Sequence, residues 1–156
     1  MNWFVLYVKP KNEKKAALQL AELGFTVYCP LITETRQWSD RKKKVEVPLL
    51  PSYIFVKLPE KERERVFQVP GVVRYLFWLG KPAIVKDKEI EILQQWLKKD
   101  DLDSHIVGLQ PGDKMAISKG PFKGKEGIVQ EINNNRVQLV LLELGIKITL
   151  TKQKVA

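Results

Sequence analysis

The sequence is poor in the residues that staple, ligate and catalyse. It holds one cysteine, Cys29, so no internal disulfide forms, and one histidine, His105, which leaves few ligands for a transition metal. A reducing compartment fits. No run approaches the roughly 18 apolar residues of a membrane-spanning helix. The apolar start Trp3 to Val8 precedes its lysines, the reverse of a secretory signal. A soluble, cytoplasmic chain without cofactor or metal is expected. No Ser/His/Asp, HExxH, P-loop or GxGxxG pattern occurs, and His105 and Cys29 lie in different segments, so no catalytic residue is nominated and no enzyme is expected. Asp100, Asp101 and Asp103 lack the Gly and Glu of a calcium loop and read as polar linker. Acidic side chains are also few, 18 against 27 Lys plus Arg, and the net charge of +9 makes nucleic acid the first partner class to consider. What is present suffices for folding: 44% of the 156 residues are hydrophobic and the 29% that are charged carry both signs. That supports one ordinary domain or two small ones.

The pattern divides near residue 98, where Lys98-Lys99-Asp100-Asp101-Leu102-Asp103-Ser104 ends a helical period with dense charge. This predicts domains at 1–98 and 110–156 joined by a linker over 99–109. Residues 1–100 hold 19 basic and 12 acidic side chains and residues 101–156 hold 8 and 6, so most of the positive field is N-terminal. The first domain opens with a strand, Trp3 to Val8. A helix follows, with Ala16, Ala17, Leu20 and Leu23 on one stripe and Gly24 as its stop. Phe25 to Trp38 and Lys43 to Leu50 form a long hairpin with a basic tip. Tyr53 to Leu58 is strand, a short helix runs from Pro59-Glu60 to before Pro70, and Val72 to Trp78 is strand. Asp87 is the expected N-cap of a last helix with Ile90, Leu93 and Leu97 on one face. This order predicts an α+β, ferredoxin-like split βαβ domain with its helices on one sheet face and the other face open. Residues 110–155 alternate short strands with Gly, Pro and Asn turns, as in a small SH3-like β-barrel.

Strand periodicity sorts the aromatic side chains. Ile54, Val56 and Leu58 suit the helix-covered core, which leaves Tyr53, Phe55 and Lys57 opposite; Phe4, Leu6 and Val8 likewise oppose Trp3, Val5 and Tyr7. A face carrying Tyr7, Tyr53 and Phe55 is a candidate docking platform, the alternative being a second minor core beneath the linker or barrel. Arg36, Arg41, Lys42, Lys43 and Lys44 on the hairpin, with Lys9, Lys11, Lys14 and Lys15 at the first helix, have spacing suited to phosphate contacts, although such runs are also ordinary solvated surface.

The run Pro111-Gly112-Asp113-Lys114-Met115-Ala116-Ile117-Ser118-Lys119-Gly120-Pro121-Phe122-Lys123-Gly124-Lys125-Glu126-Gly127-Ile128-Val129-Gln130-Glu131-Ile132 resembles a KOW motif, a strand-loop-strand unit with turn glycines and Phe122 carried on the loop. Preceded by an α+β domain that contains Trp3-Phe4-Val5-Leu6-Tyr7-Val8-Lys9 and Val47-Pro48-Leu49-Leu50-Pro51-Ser52-Tyr53-Ile54-Phe55-Val56, it resembles the NusG family of transcription elongation and antitermination factors over about residues 3–97 and 109–155. Lys9-Pro10-Lys11-Asn12-Glu13-Lys14-Lys15 and the Leu-Pro-Ser-Tyr sequence are more similar to the RfaH-like, polysaccharide-locus antiterminator branch. The resemblance implies that Tyr7, Leu50, Tyr53 and Phe55 face the clamp helices of RNA polymerase and that pausing or termination is suppressed. It implies that Lys9, Lys15 and Gln19 lie toward the non-template DNA strand, with Pro70 where that branch carries a basic residue. Phe122 matches the loop aromatic used toward a ribosomal protein or termination factor. A monomer is expected. RfaH-like proteins can refold the second domain into helices; here Val137 to Leu141 and Ile146 to Leu150 alternate or are β-branched, so a barrel is predicted.

Two rival readings come from the same residues. An RNA-recognition domain also displays aromatics on an open sheet, but Pro51-Ser52 replaces its Arg/Lys-Gly lead-in. A ribosome-associated KOW protein explains the second domain and leaves residues 1–97 unaccounted for.

Overall fold

The computed structural model describes residues 1–37, 39–98, 102–108, 129–132 and 136–152. Strand β1 (Asn2–Val8) leads into α1 (Glu13–Glu22), then β2 (Thr26–Tyr28), the hairpin β3 (Leu31–Gln37) and β4 (Lys42–Pro48), and β5 (Tyr53–Leu58). A 3-10 helix (Glu60–Gln68), β6 (Val72–Tyr75), β7 (Phe77–Trp78), β8 (Lys81–Pro82), β9 (Ile84–Val85) and α2 (Asp87–Leu97) follow. The chain continues through β10 (Leu102–Gly108), β11 (Val129–Ile132), β12 (Arg136–Leu141), a 3-10 turn (Leu142–Leu144) and β13 (Ile146–Lys152). Among the described residues no helix is long and apolar enough to cross a membrane.

The first sheet runs β2-β5-β1-β6, with β9 also paired to β1, and every pairing in it is antiparallel. Central β1 pairs along β5 from Asn2 opposite Leu58 to Tyr7 opposite Tyr53. Because side chains alternate, each pairing sends one pair of residues up and the next down. Phe4, Leu6, Val8, Ile54, Val56 and Leu58 thus form one core with Ala16 and Leu20 of α1 and Val66 of the 3-10 helix. Of the predicted α1 stripe, Ala16 and Leu20 are buried and Ala17 is half-buried, whereas Leu23 is the exposed C-cap just past the helix. Gly24, at φ +95°, turns the chain out of the helix, where a Cβ would strain the backbone but meet no neighbouring atom. Gly24→Ala is therefore expected to cost about 1 kcal/mol, lowering Tm by about 2–4 °C. Gly71→Ala, whose Cβ would sit 3.6 Å from its nearest neighbours, is not expected to destabilise; thermal melts of the two variants check this.

Five expectations are corrected. The last helix does not join α1: the buried Ile90, Ile92, Leu93 and Trp96 of α2 belong to a second core with Trp3, Val5 and Phe55 on the opposite face. That face is not open, because Val137, Leu139, Ile148 and Leu150 of a second sheet, ordered β10-β13-β12-β11, enter the same core. Residues 102–108 of the expected linker form β10, paired with β13 from Leu102 opposite Lys152 to Gly108 opposite Ile146. Asp87 is the first helical residue and Lys86 the cap; the Asp87 carboxylate instead accepts a hydrogen bond from Lys57 Nζ at 3.0 Å, which holds its pKa below the usual carboxylate range. The expected strand 72–78 also breaks at Leu76, whose N–H donates to Val5 O at 2.9 Å while its carbonyl accepts from Ala83 N–H at 2.8 Å. Val137 to Leu141 and Ile146 to Leu150 are strands, as their alternation predicts. The KOW-like run up to Ile128, Phe122 included, lies outside the described residues.

Candidate functional site

The platform is built around the junction of β4 and β5. Pro48 is the last paired residue of β4 and Pro51 lies in the turn before β5, and backbone bonds hold the intervening loop: Leu49 N–H donates to Pro30 O at 2.8 Å and Tyr53 N–H to Leu50 O at 3.1 Å. Ser52 sits at φ +71°. Its N–H donates to Glu13 Oε2 at 2.9 Å, and its carbonyl accepts from Val8 N–H at 2.8 Å. Glu13, a buried carboxylate in the first turn of α1, thereby ties that helix to the loop that presents Leu50 and Tyr53. A charge-assisted bond of this kind offsets the desolvation of the carboxylate.

On the finished face Tyr7 and Tyr53, opposite one another across β1 and β5, meet edge-to-face with centroids 5.6 Å apart. The Arg74 guanidinium lies 5.5 Å from the Tyr7 ring. Phe55 is fully buried and stacks on Tyr28 at 6.3 Å, and Leu50 is 5% exposed. Tyr7 and Tyr53 remain half-buried. The structure therefore brings Tyr7, Leu50, Tyr53 and Phe55 onto one apolar face, but beneath a cover. Tyr28 was missed by sequence reasoning because β2 has three residues, too few to display a period of two; its register opposite Phe55 places it on the platform. Burial pushes the Tyr28 phenol pKa well up, and pushes the neighbouring Cys29 thiol up to about 11, with Glu13 adding to the shift.

The cover is the second sheet. A cavity of about 320 Å³ marks the seam, walled by Leu50, Tyr53 and Leu76 on one side and by Ile106, Leu144 and Ile146 on the other. The 3-10 turn Leu142–Leu144 also reaches the first unit, where Glu143 Oε1 accepts a long hydrogen bond, 3.4 Å, from Ile84 N–H.

The basic residues fall in two places. Lys9, Lys15 and Gln19 come together around a cleft of about 240 Å³, completed by Asn12, Pro70 and Gly71. Arg41, Lys42, Lys43 and Lys44 are exposed at the turn and along β4. The Lys14 ammonium connects the two elements by donating to Glu46 O at 2.8 Å. Among the described residues there is no group of three or more His, Cys, Asp or Glu side chains placed to hold a metal ion. The arrangement supplies an apolar, aromatic surface and separate cationic patches, which suit binding.

The family model described as "Transcription termination factor nusG" matches residues 1–94. The "Transcription termination/antitermination protein NusG" of Staphylococcus epidermidis is 29% identical over 143 residues, covering 86% of this chain and 77% of that protein. Its namesake in Staphylococcus aureus matches with the same identity and coverage. A solved structure described as "Domain interaction in Thermotoga maritima NusG" aligns with 98% of this chain and 97% of its own at 19% identity and a TM-score of 0.43.

Proposed function

The chain belongs to the NusG family of transcription termination and antitermination factors, and on that premise we propose that it docks on the clamp helices of RNA polymerase through the face carrying Tyr7, Leu50, Tyr53 and Phe55. The N-terminal unit is read as the ferredoxin-like split βαβ domain and the second sheet as part of a KOW barrel. Once docked, the factor suppresses pausing or termination without catalysing a reaction. Lys9, Lys15 and Gln19 lie toward the non-template strand, and Arg41 to Lys44 add phosphate contacts that raise affinity without reading sequence. Phe122 of the KOW loop engages a ribosomal protein or termination factor. The factor is an operon-specific antiterminator of the RfaH-like kind.

The observation that carries this reading is an aromatic sheet face covered by a second sheet of the same chain. An apolar face of this composition suits a pair of amphipathic helices, which would bury aliphatic and aromatic anchors against Tyr53 and Leu50. The second sheet must leave before a partner can reach Phe55. The RNA-recognition alternative would need the same uncovering of Phe55, which is fully buried, and it lacks its Arg/Lys-Gly lead-in, Pro51-Ser52 standing there instead.

The test is retention of the full chain on purified RNA polymerase, together with pause lifetimes on a defined template. Binding with shortened pauses is expected. Replacing Lys42, Lys43 and Lys44 by alanine should weaken association with the elongation complex and flatten its salt dependence. Tight binding of single-stranded RNA in the absence of polymerase, lost on mutating Tyr53 or Phe55, would favour the rival instead.

A further inference from the structure

We infer that the seam between the two units is a proton-operated clasp: Glu89 keeps the second sheet seated on the platform while its carboxyl is protonated, and ionisation of that carboxyl drives the sheet off. Glu89 stands in the first turn of α2, a position where a carboxylate is ordinarily solvated and favoured by the helix dipole. Here it is 3% exposed. One oxygen, Oε1, accepts the Lys86 N–H at 3.0 Å and caps the helix. The other, Oε2, is buried without a hydrogen-bond partner. An ionised carboxylate with an orphaned buried oxygen is costly, whereas a protonated one leaves only a neutral O–H without an acceptor, a smaller cost.

The charged groups that face Glu89 come from both sides of the seam. Lys86, on its own cap, favours the ionised form, and Glu143, on the 3-10 turn of the second sheet, opposes it. Glu143 is itself held over the first unit by the Ile84 N–H. Lifting the second sheet removes Glu143 from Glu89 and admits water to the seam. Asp87, the first residue of α2, is engaged with Lys57 at 3.0 Å.

Burial, reinforced by Glu143, raises the Glu89 carboxyl from its usual 4.5 to about 7 in the seated form. The sign follows from linkage. The seated form binds the proton more tightly, so seating is favoured fully below the pKa of the open form, weakens as pH rises toward 7, and is constant above it. One proton changes the open-to-seated ratio by at most about tenfold per pH unit within that window. The expected change between pH 5.5 and 8 is therefore on the order of tenfold or somewhat more.

This clasp rests on the docking reading for its consequence, but opening is measurable without polymerase. In the full chain carrying Cys29→Ser, spin labels at Leu18→Cys on α1 and Lys152→Cys on β13, both exposed, report the distance between units by double electron–electron resonance. A long-distance population should grow on the order of tenfold from pH 5.5 to 8. Glu89→Gln, which keeps an oxygen for the Lys86 N–H, should stay seated throughout, and Glu143→Gln should move the midpoint to lower pH. Should Glu89→Gln lose helix by circular dichroism, the Glu143→Gln midpoint decides. A flat wild-type curve, an unshifted Glu143→Gln midpoint or an unchanged slope in folded Glu89→Gln overturns the clasp. A normal opening curve with no polymerase binding at any pH would remove the docking reading and leave the clasp standing.

Discussion

Replacing Leu144 by aspartate is expected to raise the affinity of the full chain for RNA polymerase by on the order of tenfold or more. Leu144 lies on the 3-10 turn before β13, half-buried, and walls the seam cavity against Leu50 and Tyr53. Placing a carboxylate against that apolar wall costs about 2 kcal/mol or more while the second sheet is seated and nothing once it lifts. The residue is outside the β12–β13 ladder, which pairs Arg136–Leu141 with Ile146–Thr151, so the second sheet keeps its own backbone bonds. Apparent affinity equals intrinsic affinity multiplied by the open fraction, which limits the gain to the reciprocal of the wild-type open fraction. Titration of labelled chain with polymerase measures it, and an unchanged or lower affinity contradicts the view that the second sheet competes with polymerase for the platform. A smaller gain at pH 8 than at pH 6 is a further expectation, because ionised Glu89 already holds part of the wild-type chain open there.

How much of this was legible in the sequence depends on the range of the interaction that decides each feature. The faces of β5 were legible because one residue's neighbour fixes its direction: Ile54 and Val56 lie under α1, and Tyr53 and Phe55 on the opposite face. The side taken by α2 was not legible. Its apolar stripe identifies a helix that buries Ile90 and Leu93, but either face of the β1–β5 sheet would accept that stripe, and the choice is made by contacts distant in sequence. Strand β10 was hidden for a related reason. Leu102 is buried while Ser104, His105 and Ile106 are exposed, so no clean alternation survives, and its strand character comes from unbroken pairing with β13. Glu13 and Glu89 look like surface charges of amphipathic helices. They are buried because a backbone N–H awaits each of them, from Ser52 and from Lys86, a fact of tertiary geometry.

Tyr53→Ala should weaken polymerase association by thirtyfold or more, corresponding to roughly 2 kcal/mol or more for truncating an aromatic anchor at the centre of an interface. Two opposing effects must be weighed. Truncation deletes the edge-to-face contact with Tyr7 and the surface that a partner helix would bury, but it also strips one wall from the seam cavity and so loosens the second sheet. Loosening raises the open fraction and acts in favour of binding. It is bounded, however, by the loss of one half-buried ring from a seam that retains Leu50, Leu76, Leu144 and Ile146. The fold itself should survive, since the Tyr53 N–H bond to Leu50 O and the pairing with Tyr7 are made by backbone. Combining Tyr53→Ala with Leu144→Asp separates the effects: in an already open chain the loosening term vanishes, and the full cost of the missing ring appears. The double variant should therefore fall further below Leu144→Asp than Tyr53→Ala falls below the wild type. Equal decrements would mean that Tyr53 contributes nothing to holding the cover, and a change below about threefold in both backgrounds would remove Tyr53 from the docking face.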